Sequence, residues 1–423
     1  MVSSTRPVSS FPRSGRLGLV YKAAIVIYML AVIILSYRDG LTFFAKAAAL
    51  GLGVLFIFRA FAAGERVFFP VEYRLLLGWV MLAVISSALS SSPETALRRV
   101  MTLVQVYPIA FILSNMVVWN GDARFYWVSL IGAAVLSGIV TLANDRQFSD
   151  LDGRIFGTLD NANAFAALLA VGTGLVLAIC IGTRSLLVRL LCIGIAGFFI
   201  YLVLRTGSRM GLLASFAAVV VVGWCYQSSG KSRFFKKTAV LVLVGSAVIG
   251  GGLFVLTSTE YAKRYAALQE SLETGDFQSS GDMSLYGRAR LYQKGFEIFL
   301  ENPLLGVGLD VFRTAQLEFR TIGNNSHSNY VEILAGTGIA GAGLYFAMYY
   351  FWWGRLWRSR GALRDPQLLA AITSGATVAV VILVCDVAWV SYYEKLIWLV
   401  LAGLIAQTSL VAARSGQRPI GGR

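Results

Sequence analysis

Residues 163–182 read NAFAALLAVGTGLVLAICIG, a run without a charged side chain. A helix of about 20 apolar residues matches the hydrocarbon thickness of a bilayer. The whole chain has this character, because 57% of its 423 residues are hydrophobic and only 14% are charged. Soluble domains carry about 25% charged residues. The composition therefore excludes a disordered chain, a coiled coil and a typical cytosolic enzyme, and it predicts an integral membrane protein.

Similar runs recur along the chain and predict an all-α, polytopic membrane protein with about twelve transmembrane helices. We expect residues 1–423 to form a single membrane-embedded domain. The first run is long and lacks a small-residue cleavage pattern, so we do not expect it to be a cleaved signal peptide. The predicted spans are 19–37, 41–58, 74–90, 101–118, 125–143, 163–182, 186–204, 210–226, 238–257, 329–353, 367–391 and 396–413.

The distribution of Lys and Arg predicts the orientation, because short basic loops stay in the cytoplasm. With the N-terminus inside, both termini and the basic segments 231–237 and 355–364 lie on the cytoplasmic side. The net charge of +15 then reflects membrane sorting rather than nucleic-acid binding. Arginine clusters at 146–154, 205–209 and 263–320 fall on the opposite side, which this rule does not explain. We interpret them as candidates for anion binding.

A large outer loop is predicted over residues 258–328, and loops of this length are usually functional. We expect it to contain two helices, an amphipathic one near 261–272 and a second over 287–301. On the second helix, Arg288 shares a face with Tyr292 that we expect to pack inward. Arg290 lies on a face that we expect to be solvated. We therefore assign Arg288, and not Arg290, to the site.

His327 is the only histidine in the chain and lies just before the tenth span. The positive end of a helix dipole disfavours an imidazolium there. A neutral imidazole can take a proton from a hydroxyl group near pH 7, which makes His327 a candidate general base. Asn329 followed by Glu332 resembles a helix-capping pair. The alternative is therefore that His327 is only a polar residue of the helix cap.

Arg205 and Arg209 bracket a turn of small residues, Thr206-Gly207-Ser208, at the outer face. Guanidinium groups bind phosphate through two parallel hydrogen bonds, so this turn suits a phosphate ligand. The alternative is that both arginines contact lipid head groups.

Two further positions are candidates. Arg154 precedes a short polar outer loop, in which we expect Asp160 or Asn163 to cap the sixth span. Asp386 lies inside the predicted eleventh span, where an ionisable side chain is a functional candidate. It could pair with an arginine of the site or orient His327, and the sequence leaves both possibilities open.

Metal and cofactor chemistry is not indicated. The four cysteines form no CxxC pair, and a single histidine excludes a multi-histidine site. The outer acidic residues show no ligand spacing. We therefore predict chemistry without a metal ion or cofactor, in which arginines supply the positive charge.

Several of these segments together resemble the O-antigen ligase family. The strongest match runs from Asn325-Ser-His327-Ser-Asn329 to Gly341. The others are Gly287-Arg288 through Gly308, the turn Gly207-Ser208-Arg209-Met210-Gly211, and residues 154–163. Tyr292 departs from the family pattern, because the family often has Trp at this place.

The resemblance implies a bacterial inner-membrane glycosyltransferase whose active site faces the periplasm. The donor would be a glycan on undecaprenyl pyrophosphate, and the acceptor would be a sugar hydroxyl of lipid A–core. His327 would be the general base, and Arg209 and Arg288 would hold the pyrophosphate while the anomeric centre inverts. The residues expected to help bind substrate are Arg205, Arg154, Asn329 and Asp386.

Two alternatives remain open. A polymerase of the same superfamily would use the same residues with another glycan as acceptor. A transporter of lipid-linked glycans would place charges along a path through the bilayer and would contain broken helices near the midplane. The expected partners are the glycan donor linked to undecaprenyl pyrophosphate, the lipid A–core acceptor and membrane lipids, and no nucleic acid.

Overall fold

A computed structural model describes residues 16–38, 40–150, 153–228, 283–311, 325–359 and 366–415. Within these ranges the chain forms helices joined by turns, together with one isolated bridge between Ser149 and Ile155. The helices are α1 (Arg16–Leu30, continued by a π-helix over Ala31–Leu35), α2 (Thr42–Phe61), α3 (Val71–Ala88), α4 (Pro93–Asn120), α5 (Ala123–Ala143), α6 (Ala162–Gly182), α7 (Leu186–Thr206), α8 (Arg209–Ser228), α9 (Met283–Glu301), α10 (Asn329–Arg358), α11 (Pro366–Cys385) and α12 (Lys395–Arg414).

The predicted all-α, multi-pass architecture is confirmed. Every described helix except α9 belongs to the 11 segments that are long and apolar enough to cross a membrane. The predicted ninth span (238–257) and the first predicted loop helix (261–272) lie outside the described residues. α4 begins eight residues earlier than predicted, at Pro93, because a helix can continue beyond the hydrocarbon where polar side chains find partners. Arg99 in this added segment is paired with Asp310 at 2.9 Å.

The helices α6 and α12 lie at the centre of the bundle, with most of their residues buried. α6 packs against α7, α8 and α11, whereas α12 packs mainly against α4. Glycines allow the close approach of α6 to its neighbours. A side chain at Gly174 would collide with Thr377 of α11, and one at Gly172 would collide with Phe199 of α7. Small residues at such contacts are typical of helices that pack within membranes.

A break divides α10 at Gly338, where the backbone adopts φ 62° and ψ −170°. The turn that follows α9 fills this break. The N–H groups of Val307 and Gly308 donate to the carbonyls of Ala335 and Gly336 at 3.0 and 2.9 Å. These bonds satisfy carbonyls that the broken helix leaves unpaired. The turn therefore fixes α9 against the first part of α10. This part of α10 begins at Asn329, directly after the loop that carries His327.

Candidate active site

The predicted site residues lie at one end of the bundle. The chain segments at this end are tied together by hydrogen bonds between distant parts of the sequence. Tyr37 donates to Glu394 at 2.8 Å, Ser86 donates to the carbonyl of Leu305 at 2.6 Å, and the N–H of Ile155 donates to the carbonyl of Arg205 at 3.2 Å. These bonds join the segments in pairs, the loop after α1 with that after α11, the end of α3 with the turn after α9, and the loop after α5 with the end of α7.

The loop 325–328 presents His327 at this surface. His327 adopts φ 54°, a left-handed backbone conformation that residues other than glycine rarely take. Its N–H donates to Oδ1 of Asn325 at 3.2 Å. The neighbouring N–H of Ser326 donates to the buried carboxylate of Glu332 at 3.0 Å. The loop is thus held by its own side chains, and the His327 side chain is left half-buried.

The predicted capping role of Asn329 is wrong. The residue at the N-cap position is Ser328, and Asn329 is the first residue of α10. The Asn329 side chain instead holds the chain that follows α11. Its Oδ1 accepts the N–H groups of Ser391 and Tyr392 at 3.1 and 3.0 Å, and its Nδ2 donates to Oδ2 of Asp386 at 3.1 Å. The oxygen and the nitrogen of the Asn329 side-chain amide are therefore both hydrogen-bonded within the protein.

The predicted position of Asp386 within a span is also wrong. α11 ends at Cys385, and residues 386–394 form turns before α12 begins. The helix can stop here because Asn329 pairs with the backbone groups of this segment. The Asp386 carboxylate accepts hydrogen bonds from Ser391 and Asn329, and it forms no arginine pair among the described residues. Both Asn329 and Asp386 are 0% exposed, so neither offers an atom to a ligand in this structure.

Arg288 sets the electrostatic environment of His327. Burial lowers the pKa of the imidazole below its usual value, and the positive charge of Arg288 lowers it further. α9 is held in place here by Tyr292, whose hydroxyl donates to the carbonyl of Val387 at 2.6 Å. Arg288 is half-buried and Arg290 is exposed, in agreement with the two predicted faces. His327 is therefore favoured in the neutral form that a base requires.

A second arginine near the His327 loop was missed by sequence reasoning. Arg99 donates to Oδ2 of Asp310 at 2.9 Å, and its guanidinium lies over the ring of Tyr393 at 3.7 Å. The Tyr393 hydroxyl accepts a hydrogen bond from Asn325 at 3.3 Å. Arg99 comes just before the predicted fourth span and reads as an ordinary flanking residue. The sequence feature that could have indicated Arg99 as a site residue is the pair Arg98-Arg99, which lies on the predicted outer side.

The two arginines on either side of the turn after α7, Arg205 and Arg209, have different surroundings. Arg205 bonds both carboxylate oxygens of Asp145, at 3.0 and 3.2 Å, and also contacts the Tyr201 hydroxyl at 3.2 Å. Arg209 is exposed at the first position of α8. The Arg205 side chain is therefore bound to an acidic partner of the same chain, and Arg209 lies at the surface.

Arg154 packs directly on this turn. Its Nε donates to the carbonyl of Thr206 at 3.1 Å, and its side chain covers Gly207, where a Cβ atom would lie 2.9 Å from Nε. Gly207 has φ 63°, which favours glycine. Arg154 thus supports the turn from which Arg209 projects.

The predicted cap of α6 is wrong. Asn161, rather than Asp160 or Asn163, caps the helix and accepts the N–H groups of Asn163 and Ala164 at 2.9 and 3.1 Å. Asp160 lies just before this cap and has a left-handed backbone conformation with φ 54°. The Asn163 side chain instead accepts a hydrogen bond from Ser208 at 2.9 Å. This contact joins the start of α6 to the turn before Arg209.

The packing of α8 and α11 brings Arg209 to the same end as the His327 loop. Near the middle of both helices, Ala218 and Thr377 both contact Gly174. Further along α8, the side chain of Cys225 lies near that of Thr373, which precedes Thr377. The two helices are therefore antiparallel. Their register places the beginning of α8 beside the end of α11, where Asp386 follows.

The described residues contain no group of three or more His, Cys, Asp and Glu side chains that could hold a metal ion. The absence of a metal requirement stays a prediction. The ionisable side chains at this end include an exposed arginine, Arg209, a half-buried arginine, Arg288, and the half-buried imidazole of His327. Such a set can bind an anionic ligand and accept a proton beside it.

Residues 194–346 match a family model described as O-Antigen ligase. The matched region begins in α7 and ends in α10, so it contains Arg205, Arg209, Arg288, His327 and Asn329 but neither Arg154 nor Asp386. No curated protein matches the chain. The predicted family resemblance is confirmed over this region.

Proposed function

Because this multi-pass membrane protein carries a domain of the O-antigen ligase family, we propose that it is a metal-independent glycosyltransferase of lipopolysaccharide assembly. It moves a glycan from undecaprenyl pyrophosphate to a sugar hydroxyl of lipid A–core, at the periplasmic face of the inner membrane. The observation that supports this best is that Arg288 lies beside the half-buried His327, where burial and the charge of Arg288 both lower the pKa of the imidazole. The reaction needs both a base and an anion-binding group.

His327 acts as the general base in the proposed reaction. It takes the proton of the acceptor hydroxyl while that oxygen attacks the anomeric carbon of the donor. The bond between the anomeric carbon and the pyrophosphate oxygen breaks, and the leaving group departs with the electron pair. Attack from the opposite side inverts the anomeric centre. General acid–base catalysis of this kind contributes about 10²–10⁴-fold in rate.

Arg209 and Arg288 bind the pyrophosphate and stabilise the charge that grows on it as it leaves. Fixed positive groups of this kind act most strongly on charge that develops in the transition state. Arg288 also connects binding of the donor pyrophosphate with proton transfer to His327. The bound pyrophosphate offsets the positive charge of Arg288, so the imidazolium formed on His327 is better tolerated in the complex than in the free protein.

The break in α10 bears on the transporter alternative, because transporters use broken helices to line a path. Here the turn Pro303–Gly308 fills the break, and its backbone pairs with the freed groups of α10. Ser86 adds a hydrogen bond to the carbonyl of Gly336 at 2.9 Å. The break is therefore packed by the protein itself, which favours an enzyme that presents a fixed loop.

The deciding experiment is reconstitution of the purified protein with a lipid-linked glycan. One reaction contains lipid A–core as the acceptor, and a parallel reaction contains only the lipid-linked glycan. We expect a glycan–lipid A–core product in the first reaction and no extended glycan in the second. Extension of the lipid-linked glycan without transfer to lipid A–core would instead assign the polymerase reaction. The His327→Ala variant controls for transfer by contaminating enzymes.

A further inference from the structure

The end of the bundle opposite the candidate active site contains a cavity of about 580 Å³. It lies between the start of α5, the end of α6, the start of α11 and the end of α12. α6 has 21 residues, so about 30 Å of helix separates this cavity from the turn at Asn161. The cavity is therefore distinct from the site around His327.

The cavity combines basic and apolar walls. The side chains of Arg124, Arg184 and Arg414 line it and are exposed. Its deeper walls are apolar and buried, and they include Trp127, Leu175 and Leu410. Its volume falls within the range of about 300–1,000 Å³ that is typical of small-molecule sites. The arrangement suits a ligand with an anionic group at one end and a hydrocarbon portion at the other.

The positive charge of the cavity is not neutralised within the part of the chain that the structure describes. Asp122 is the acidic residue in its wall, and it is already paired with Lys22 at 2.9 Å. Asp122 also caps α5 by accepting the N–H of Phe125 at 2.9 Å. Arg414 donates only to a backbone carbonyl, that of Gly121, at 3.0 Å. Asp122 also attracts the neighbouring Arg124, so one carboxylate in the cavity wall faces Lys22 and three arginines, and the wall keeps a net positive charge.

We propose that this cavity binds an anionic phospholipid from the membrane leaflet at its own end of the bundle. The phosphate of the head group lies among Arg124, Arg184 and Arg414, and the glycerol and first acyl carbons lie against Trp127 and Leu410. Basic pockets between transmembrane helices are suited to anionic head groups. General charge sorting explains basic residues at this end, but it does not explain an apolar cavity beneath them.

The test measures lipid retained by the full-length protein after purification in detergent and titration with phosphatidylglycerol or phosphatidylcholine, using native mass spectrometry. The wild type should bind phosphatidylglycerol and much less phosphatidylcholine. Arg124→Gln combined with Arg184→Gln should weaken phosphatidylglycerol binding on the order of 30-fold, since each basic residue contributes roughly fivefold. Ala370→Phe keeps every charge but fills the cavity, and it should also abolish binding.

Arg66→Gln is the matched control. Arg66 is an exposed arginine at the same end of the bundle but outside the cavity, so its loss should leave binding unchanged. Equal binding by all variants, or an equal loss in Arg66→Gln, would overturn the proposal in favour of general surface charge. A parallel titration with inorganic phosphate identifies the source of the anion. Displacement of the lipid by millimolar phosphate would overturn the lipid assignment.

Discussion

The side-chain amide of Asn329 donates a hydrogen bond to Oδ2 of Asp386 at 3.1 Å, and its backbone N–H donates to the Asp386 carbonyl at 2.8 Å. These bonds join the start of α10 to the end of α11 directly beneath the His327 loop. Ser328 adds a contact to the same carbonyl at 3.4 Å. His327 thus stands on a junction of two helix ends, and that junction holds its position.

Replacing Asn329 should destabilise this junction. In Asn329→Ala, the buried N–H groups of Ser391 and Tyr392 lose their acceptor. An unsatisfied buried group costs about 1–3 kcal/mol, so the midpoint of thermal unfolding in detergent should fall clearly. Asn302→Ala removes an exposed amide at the end of α9 and should change stability by less than about 0.5 kcal/mol. Equal melting of the two variants would contradict a supporting role for Asn329.

The pKa of His327 can be measured without ambiguity, because the chain contains one histidine. NMR titration of ¹⁵N-histidine-labelled protein without a histidine tag should give a pKa below about 6.5, the usual histidine value. Arg288→Gln removes a cation that repels the imidazolium, so the pKa should rise. Arg290→Gln is the control and should leave it unchanged. An unchanged pKa in Arg288→Gln would show that Arg288 does not act on His327.

Substitutions should separate the base from the phosphate-binding groups. His327→Ala should retain donor binding but lower single-turnover transfer by about 10²–10⁴-fold. Arg209→Lys and Arg288→Lys keep the charge but lose the planar fork, so both should weaken donor binding. Arg205→Lys should affect donor binding less than Arg209→Lys, because the Arg205 side chain is already occupied by Asp145. Normal transfer by His327→Ala would exclude it as the base.

The break in α10 should depend on glycine at position 338. In Gly338→Ala, the new Cβ would collide with the backbone of Leu304 and would occupy a left-handed conformation. We expect the unfolding free energy to fall by at least about 2 kcal/mol. Gly343→Ala is the control, since its Cβ would meet open space within a helix. That variant should be neutral or up to about 1 kcal/mol more stable. Similar melting of both variants would contradict the predicted need for glycine at 338.

The orientation can be tested with cysteines at two exposed positions in a cysteine-free variant. Glu301→Cys lies at the end of the bundle that carries His327, and Arg66→Cys lies at the other end. In intact cells with a permeabilised outer membrane, an impermeant maleimide should label only Glu301→Cys. Arg66→Cys should react after the inner membrane is opened. Labelling of Arg66→Cys from outside would reverse the proposed orientation.

Much of the fold follows from the sequence because the bilayer imposes a simple rule. Within the hydrocarbon, backbone groups must pair inside the helix, and long apolar runs therefore become spans. Eleven described spans obey this rule. The inward face of α9 could be predicted for a similar reason, since Arg288, Tyr292 and Gly295 recur at helical spacing. These features depend on neighbours within one segment of sequence.

The tertiary structure decided what happens where helices end. It placed Asp386 beyond α11 and used Asn329 to hold the following turns, although the two residues are far apart in sequence. In the same way, the tertiary structure pairs Arg205 with Asp145. It also places Arg99 against Tyr393, which binds Asn325 of the His327 loop. Local sequence cannot specify these contacts, because buried polar groups at a helix end must pair with whichever partner the packing of other helices supplies.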